Sequence, residues 1–234
     1  MSLYLLLNII AISLPLLLSF DKKVHFYTHW KYFIPAMIGT LVIFIIWDVI
    51  FTDQGVWGFN ERYYGNLTIF GLPLEEYLFF ISVPYASVFT LYVIAAYFPG
   101  LRLNFTQVRW VTILLTSFLG VLAVMNIGRA YTAVNFLFTI LVLVLVYFSR
   151  KELLSQFYIG YLVILIPFGI INGILTGSFI EEQVVWYNDQ ENLGFRIGTI
   201  PFEDIFYGMS LILLNHYLTE LFRSRASRKK QTPG

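Results

Sequence analysis

The sequence predicts an all-α integral membrane protein: seven transmembrane helices, arranged as two parallel three-helix repeats joined by a central linker helix. Three observations predict it. The 234 residues are 58% hydrophobic, 19% aromatic and only 12% charged, with a mean hydropathy of +0.73, whereas soluble domains are about one quarter charged. The apolar runs are long enough to cross a hydrocarbon layer about 30 Å thick. A polar, aromatic and acidic pattern also occurs twice.

The elements follow in order. Ser2–Phe20 has no basic leader and no small-x-small cleavage site, so it is expected to remain as the first span. Tyr32–Phe51 is the second, although it holds Asp48. Leu74–Phe98, Trp110–Ile127, Thr132–Phe148 and Phe157–Thr176 are the third to sixth. Phe202–Phe222 is the seventh and opens on Glu203 and Asp204. With seven spans, twelve Lys and Arg residues fall on one side: Lys22, Lys23, Lys31, Arg102, Arg109, Arg150, Lys151, Arg223, Arg225, Arg228, Lys229 and Lys230. Only Arg62, Arg129 and Arg196 fall on the other. Positive charge accumulates in the cytoplasm, so the N-terminus is expected outside and the C-terminus inside.

The halves echo each other. Asn60 lies thirteen residues before Pro73, and Asn188 thirteen before Pro201. Trp57-Gly58-Phe59-Asn60 matches Val185-Trp186-Tyr187-Asn188, and Asp48-Val49-Ile50-Phe51-Thr52 matches Asn172-Gly173-Ile174-Leu175-Thr176. Residues 1–101 are therefore expected to form the first repeat (helices 1–3), 102–130 the linker helix 4, 131–222 the second repeat (helices 5–7) and 223–234 a basic cytoplasmic tail. The linker makes the repeats parallel, related by an axis along the membrane normal. Both acidic motifs, Leu72-Pro73-Leu74-Glu75-Glu76 and Ile200-Pro201-Phe202-Glu203-Asp204, then lie at one outer face. The long loops 52–73 and 177–201 are expected to cover them as lids.

A proline at the first helical position followed by acids is an ordinary helix start, favoured by the helix dipole. One acid would satisfy that role. Consecutive residues point about 100° apart, so the second acid must face other helices or lipid, and paired carboxyls at a membrane boundary tend to be functional. Like charges held together cannot all stay ionised, so a neutral acid beside a carboxylate supplies a proton donor and an acceptor. Arg62, Arg129 and Arg196 are the outer cations available to hold chosen carboxyls charged. The faces of Trp57, Tyr63, Tyr64, Tyr77, Trp186, Tyr187 and Tyr207 are available to stabilise a developing cation. Together these suit proton-initiated chemistry on an alkene.

The strings GVWGFNERYYGN…GLPLEEYLFF and VVWYNDQENLGFRIGTIPFEDIFYG resemble the membrane-integral lycopene cyclases, whose repeat occurs in separate subunits or, as here, fused in one chain. The resemblance spans residues 1–222. It places the family's P-x-E-[ED] acid/base element on Pro73, Glu75, Glu76 and on Pro201, Glu203, Asp204. It implies lycopene β-cyclisation, giving β-carotene through γ-carotene: protonation at C2, ring closure and loss of a proton from C6. One of Glu75, Glu76, Glu203 and Asp204 is expected to donate the proton and another to receive it, with Asp48 and Asn172 orienting them and Asn60 and Asn188 as supporting polar residues. The reaction is an isomerisation, so no cofactor or metal is expected; the chain also lacks a G-x-G-x-x-G dinucleotide stretch. Expected partners are lycopene and carotenoid intermediates, the lipid bilayer and other enzymes of the carotenoid pathway, and no nucleic acid.

Other readings fit less well. None of the six lysines lies mid-span to hold retinal as a Schiff base, Asp-rich diphosphate sites are missing, and three histidines are too few for a di-iron oxygenase. His25 and His29 read as interfacial side chains, and His216 as a packing residue. A membrane transporter or a non-catalytic carotenoid-binding scaffold are the alternatives from other classes.

Overall fold

A computed structural model describes residues 1–231; of the expected basic tail 223–234, residues 232–234 lie outside the described residues. The described residues form six α-helices: α1 (Leu3–Leu18), α2 (Trp30–Asp53), α3 (Leu74–Tyr97), α4 (Phe105–Met125), α5 (Ala130–Leu175) and α6 (Phe202–Gln231), with a 3₁₀ turn at Phe26–His29. The helix starts are set by local chemistry. Ser2 Oγ accepts from Leu5 N–H at 3.2 Å, and Asn104 with Gln107 forms a reciprocal capping box on α4.

The segments Phe26–Asp53, Leu74–Tyr97, Phe105–Met125 and Ala130–Leu175 are long and apolar enough to cross a membrane, and α1 is a shorter apolar helix. Within α5, Arg150 has non-helical backbone angles (φ −154°, ψ 51°) and breaks the element between the fifth and sixth spans expected from the sequence. α6 runs past Phe222, so the basic segment continues the last helix instead of starting as a separate tail.

The long loops 52–73 and 177–201 are structured. β1 (Trp57–Phe59) pairs antiparallel with β4 (Val185–Tyr187), with Gly58 opposite Trp186. Asn60 N–H donates to the Val184 carbonyl and Asn188 N–H to the Val56 carbonyl, both at 2.9 Å. The two bonds are reciprocal and flank the β1–β4 pair. Each loop closes in a hairpin, β2 (Thr68–Ile69) with β3 (Leu72–Pro73) and β5 (Arg196–Ile197) with β6 (Ile200–Pro201). Tight two-residue turns need positive φ. Phe70 and Gly71 supply it in the first hairpin (51° and 81°), and Gly198 in the second (64°). Pro73 is the extended N-cap of α3, one position earlier than the first-turn proline expected from the motif.

The helices interlock across the halves. α1 packs on α3, and α5 on α4 and α6; α2 packs mainly on α6 of the second half, while α5 reaches α3 of the first. The core where they meet is aromatic, with Phe26, Phe33, Phe44, Phe80 and Phe157 fully buried. The strand crossing is tight: a Cβ at Gly58 would lie 2.4 Å from Trp186 Cζ2. Gly58→Ala is expected to destabilise the detergent-solubilised protein by about 1–3 kcal/mol, read as a lower thermal-inactivation midpoint. Adding Trp186→Ala should restore most of the loss; no recovery would show that the pair does not set the crossing.

Candidate functional site

The two acidic pairs open α3 and α6, and helical geometry separates the members of each pair. The first acids turn back to the loops. Glu75 Oε1 accepts from Ser2 Oγ at 2.6 Å and from Gly65 N–H at 2.8 Å. Glu203 Oε1 accepts from Thr132 Oγ1 at 2.6 Å and from Leu193 N–H at 2.7 Å. The backbone is braced in the same way: Asn8 Nδ2 donates to the Glu75 carbonyl at 3.0 Å, and Asn135 Nδ2 to the Glu203 carbonyl at 2.7 Å. These acids tie each helix start to its preceding loop and to a neighbouring helix.

The second acids point into one small cavity of about 50 Å³ between the halves, where Glu76, Asp204, Asp48 and Asn172 all form part of the wall. All four are buried. Tyr4 Oη donates to Glu76 and Tyr131 Oη to Asp204. Asp204 also accepts from Asn172 Nδ2 at 2.8 Å and from Tyr187 Oη at 3.1 Å. Trp57 Nε1 donates to Asp48 Oδ1, and Asp48 Oδ2 has no partner. Burial, with the charge of Asp204 added, pushes the Tyr187 phenol well above its usual pKa, so it stays protonated and donates.

The remaining wall is aromatic and apolar. The loops roof the cavity through Trp57, Phe59, Val185 and Tyr187, and the helices add Phe79 and Tyr207. The rings interlock: Tyr131 stacks on Tyr187 at 5.7 Å, and Trp57 meets Tyr131 edge-on at 5.1 Å and Tyr207 at 6.2 Å. Three carboxyls, five polar donors and several π faces therefore share one small cavity. That combination can deliver a proton, hold a cation and take a proton back.

Other residues singled out from the sequence sit elsewhere. Arg62 pairs with exposed Glu181 at 2.6 Å. Arg129 donates to the Asn192 carbonyl at 2.6 Å. Arg196 pairs with Asp189 at 2.6 Å and donates to the Thr199 carbonyl at 3.0 Å. The three cations brace the loops, and none lines the cavity. Asn60 and Asn188 each accept the N–H two residues on, from Arg62 and Gln190, and so shape equivalent turns. Tyr63 accepts from Glu182 N–H at 3.3 Å, and Tyr77 donates to the Ile69 carbonyl at 2.8 Å. Tyr64 is half-buried in its loop, and Trp186 is exposed and packs across Gly58.

Tyr4 and Tyr131 were missed. Their signal was present: Tyr4-Leu5-Leu6-Leu7-Asn8 and Tyr131-Thr132-Ala133-Val134-Asn135 open the first helix of each half with the same Y-x-x-x-N spacing.

Compared with known proteins, the chain matches the family model described as Lycopene cyclase over residues 1–95 and 128–222. The unmatched stretch between these segments contains the whole of α4. No curated protein and no solved structure matches the chain.

Proposed function

Because the chain belongs to the lycopene cyclase family, we propose that it is a lycopene β-cyclase working by acid–base chemistry alone, converting lycopene to β-carotene through γ-carotene. The observation that carries this reading is the convergence of Asp48 and Glu76 from one half and Asp204 from the other on a single aromatic-walled cavity.

The chemistry needs a proton placed on C2 of a terminal alkene. The resulting C1 cation is attacked by the C5–C6 double bond, and a proton then leaves C6. Protons in and out balance, and substrate and product are isomers. Asp204 suits the accepting role, since Tyr131, Asn172 and Tyr187 all donate to it and fix it as an acceptor. The Asp48–Glu76 side supplies the proton; the unpartnered Asp48 Oδ2 is an oxygen with room to carry one. Trp57, Tyr187 and Tyr207 offer faces to the cation between these steps. Glu75 and Glu203 serve as braces for the two helix starts.

In the bilayer, the chain reads as seven spans with the N-terminus outside and the C-terminus cytoplasmic. A helix of 46 residues would be about 70 Å long, more than twice the hydrocarbon thickness, so α5 serves as two spans meeting at Arg150. Residues 1–101 and 131–222 act as parallel repeats with 102–130 as linker. The doubled bonds of Glu75 and Glu203, and of Tyr4 and Tyr131, support that layout.

The test is incubation of the purified protein with lycopene in deuterated water, followed by pigment analysis. The expected products are ring-ended isomers carrying one deuterium at C2 of each new ring. Lycopene that stays linear would overturn the enzyme reading in favour of a transporter or binding scaffold. Rings without label would overturn the protonation step.

A further inference from the structure

An apolar groove of about 400 Å³ runs along the outside of the helices beside the acid cavity. Its walls are Ala11 and Leu14 of α1, Val83 and Ala86 of α3, and Pro167 and Ile171 of α5 after the Arg150 break. Its inner end adjoins the cavity: Phe79, Phe168 and Asn172 line both. At its rim Leu14 and Ile170 are 62% and 61% exposed.

The twofold relation gives this groove a counterpart. Matching Asp48 to Asn172, Glu76 to Asp204 and Tyr4 to Tyr131 sets Trp47 in the place of Ile171, Tyr207 in that of Phe79, and Phe138 in that of Ala11. In the second position Trp47 packs against both of the other rings. Trp47 meets Phe138 at 5.5 Å and Tyr207 at 5.0 Å. Phe44 adds contacts to Phe138 at 5.6 Å and to Tyr207 at 5.1 Å. Such spacings are those of packed aromatic cores. One of the two equivalent positions therefore keeps a groove with a small alanine at its wall, and the other is filled by rings.

We propose that the groove between α1, α3 and the second arm of α5 is the single track for the hydrocarbon chain of a linear polyene, whose tip reaches the acid cavity. This rests on the cyclase reading above. With one track and one cavity, each binding event closes one ring. The singly cyclised product must leave and return turned end for end before its second end reacts.

The test fills the open groove with the residues that seal the closed one, in the full-length chain in detergent or lipid vesicles. Ala11→Phe and Ile171→Trp are expected to lower kcat/KM for lycopene at least about tenfold, mostly through KM, with the thermal-inactivation midpoint unchanged. Leu114→Trp, on an exposed face of α4, serves as the control at wild-type activity. Ala86→Leu, a smaller filling, reads the same channel where either larger variant fails to fold. Wild-type turnover in folded filled variants overturns the proposal. So does a change confined to bound phospholipid or oligomer size, which would give the groove to a lipid or a second copy. A pulse of labelled lycopene chased with unlabelled lycopene should release labelled monocyclic product into the bulk pool before bicyclic product forms. Labelled bicyclic product appearing without that pool overturns the one-ring-per-binding claim. A wild type that leaves lycopene linear would sink the cyclase reading alone. The track is then read from lycopene co-purification, retained by wild type and lost by Ala11→Phe.

Discussion

Glu76→Gln and Asp204→Asn are each expected to lower cyclisation by about 10²–10⁴-fold, the range that a positioned acid or base contributes, with little change in the amount of folded protein. The amides keep the shape of the acids and an oxygen that accepts from Tyr4 or Tyr131. What they lose is the capacity to carry or take a proton. Pigment analysis of lycopene-accumulating cells, normalised to protein in the membrane, measures the effect. Full activity in both variants would remove these residues from the chemistry. A large effect in only one would leave the other as wall.

The partner acids should behave in the opposite way. Glu203→Ala is expected to destabilise the fold by about 2–4 kcal/mol, because it leaves the buried Thr132 Oγ1 and the part-buried Leu193 N–H without their acceptor, each at a cost of about 1–3 kcal/mol. Glu203 is fully buried, so water cannot replace the lost oxygen without disrupting packing. Glu203→Gln keeps an accepting oxygen, and both stability and turnover should stay close to wild type. Thermal inactivation in detergent, followed alongside initial rates, separates the cases. A Glu203→Gln protein of normal stability that has lost turnover would return Glu203 to the reaction.

This contrast marks where sequence reasoning stops. The four acids read as one set because the P-x-E-[ED] string repeats as a unit. Repetition does not separate chemistry from scaffold when both halves need the same scaffold: Asn60 and Asn188 recur at matching positions and turn out to shape loops. The arginines were plausible counter-charges only while their distances were unknown; each is spent on a loop contact. Tyr4 and Tyr131 were overlooked because a tyrosine in a greasy helix reads as packing until its hydroxyl is seen to meet an acid more than seventy residues away. Asp48 and Asn172, expected from the sequence to orient the acids, line the cavity with Glu76 and Asp204.

Composition and hydropathy were enough for a helical chain suited to a membrane, and the motif strings were enough for the lycopene cyclase family. Those properties are carried by local residue chemistry and spacing, which survive without knowledge of the fold. The rotation of each helix about its axis is different. It is fixed by how α2 lodges against α6, and α5 against α3, across the two halves. A turn of about 100° would exchange Glu75 for Glu76 at the cavity, so packing between distant segments chooses which carboxyl faces inward, and it also leaves one groove open while aromatic rings close its twin.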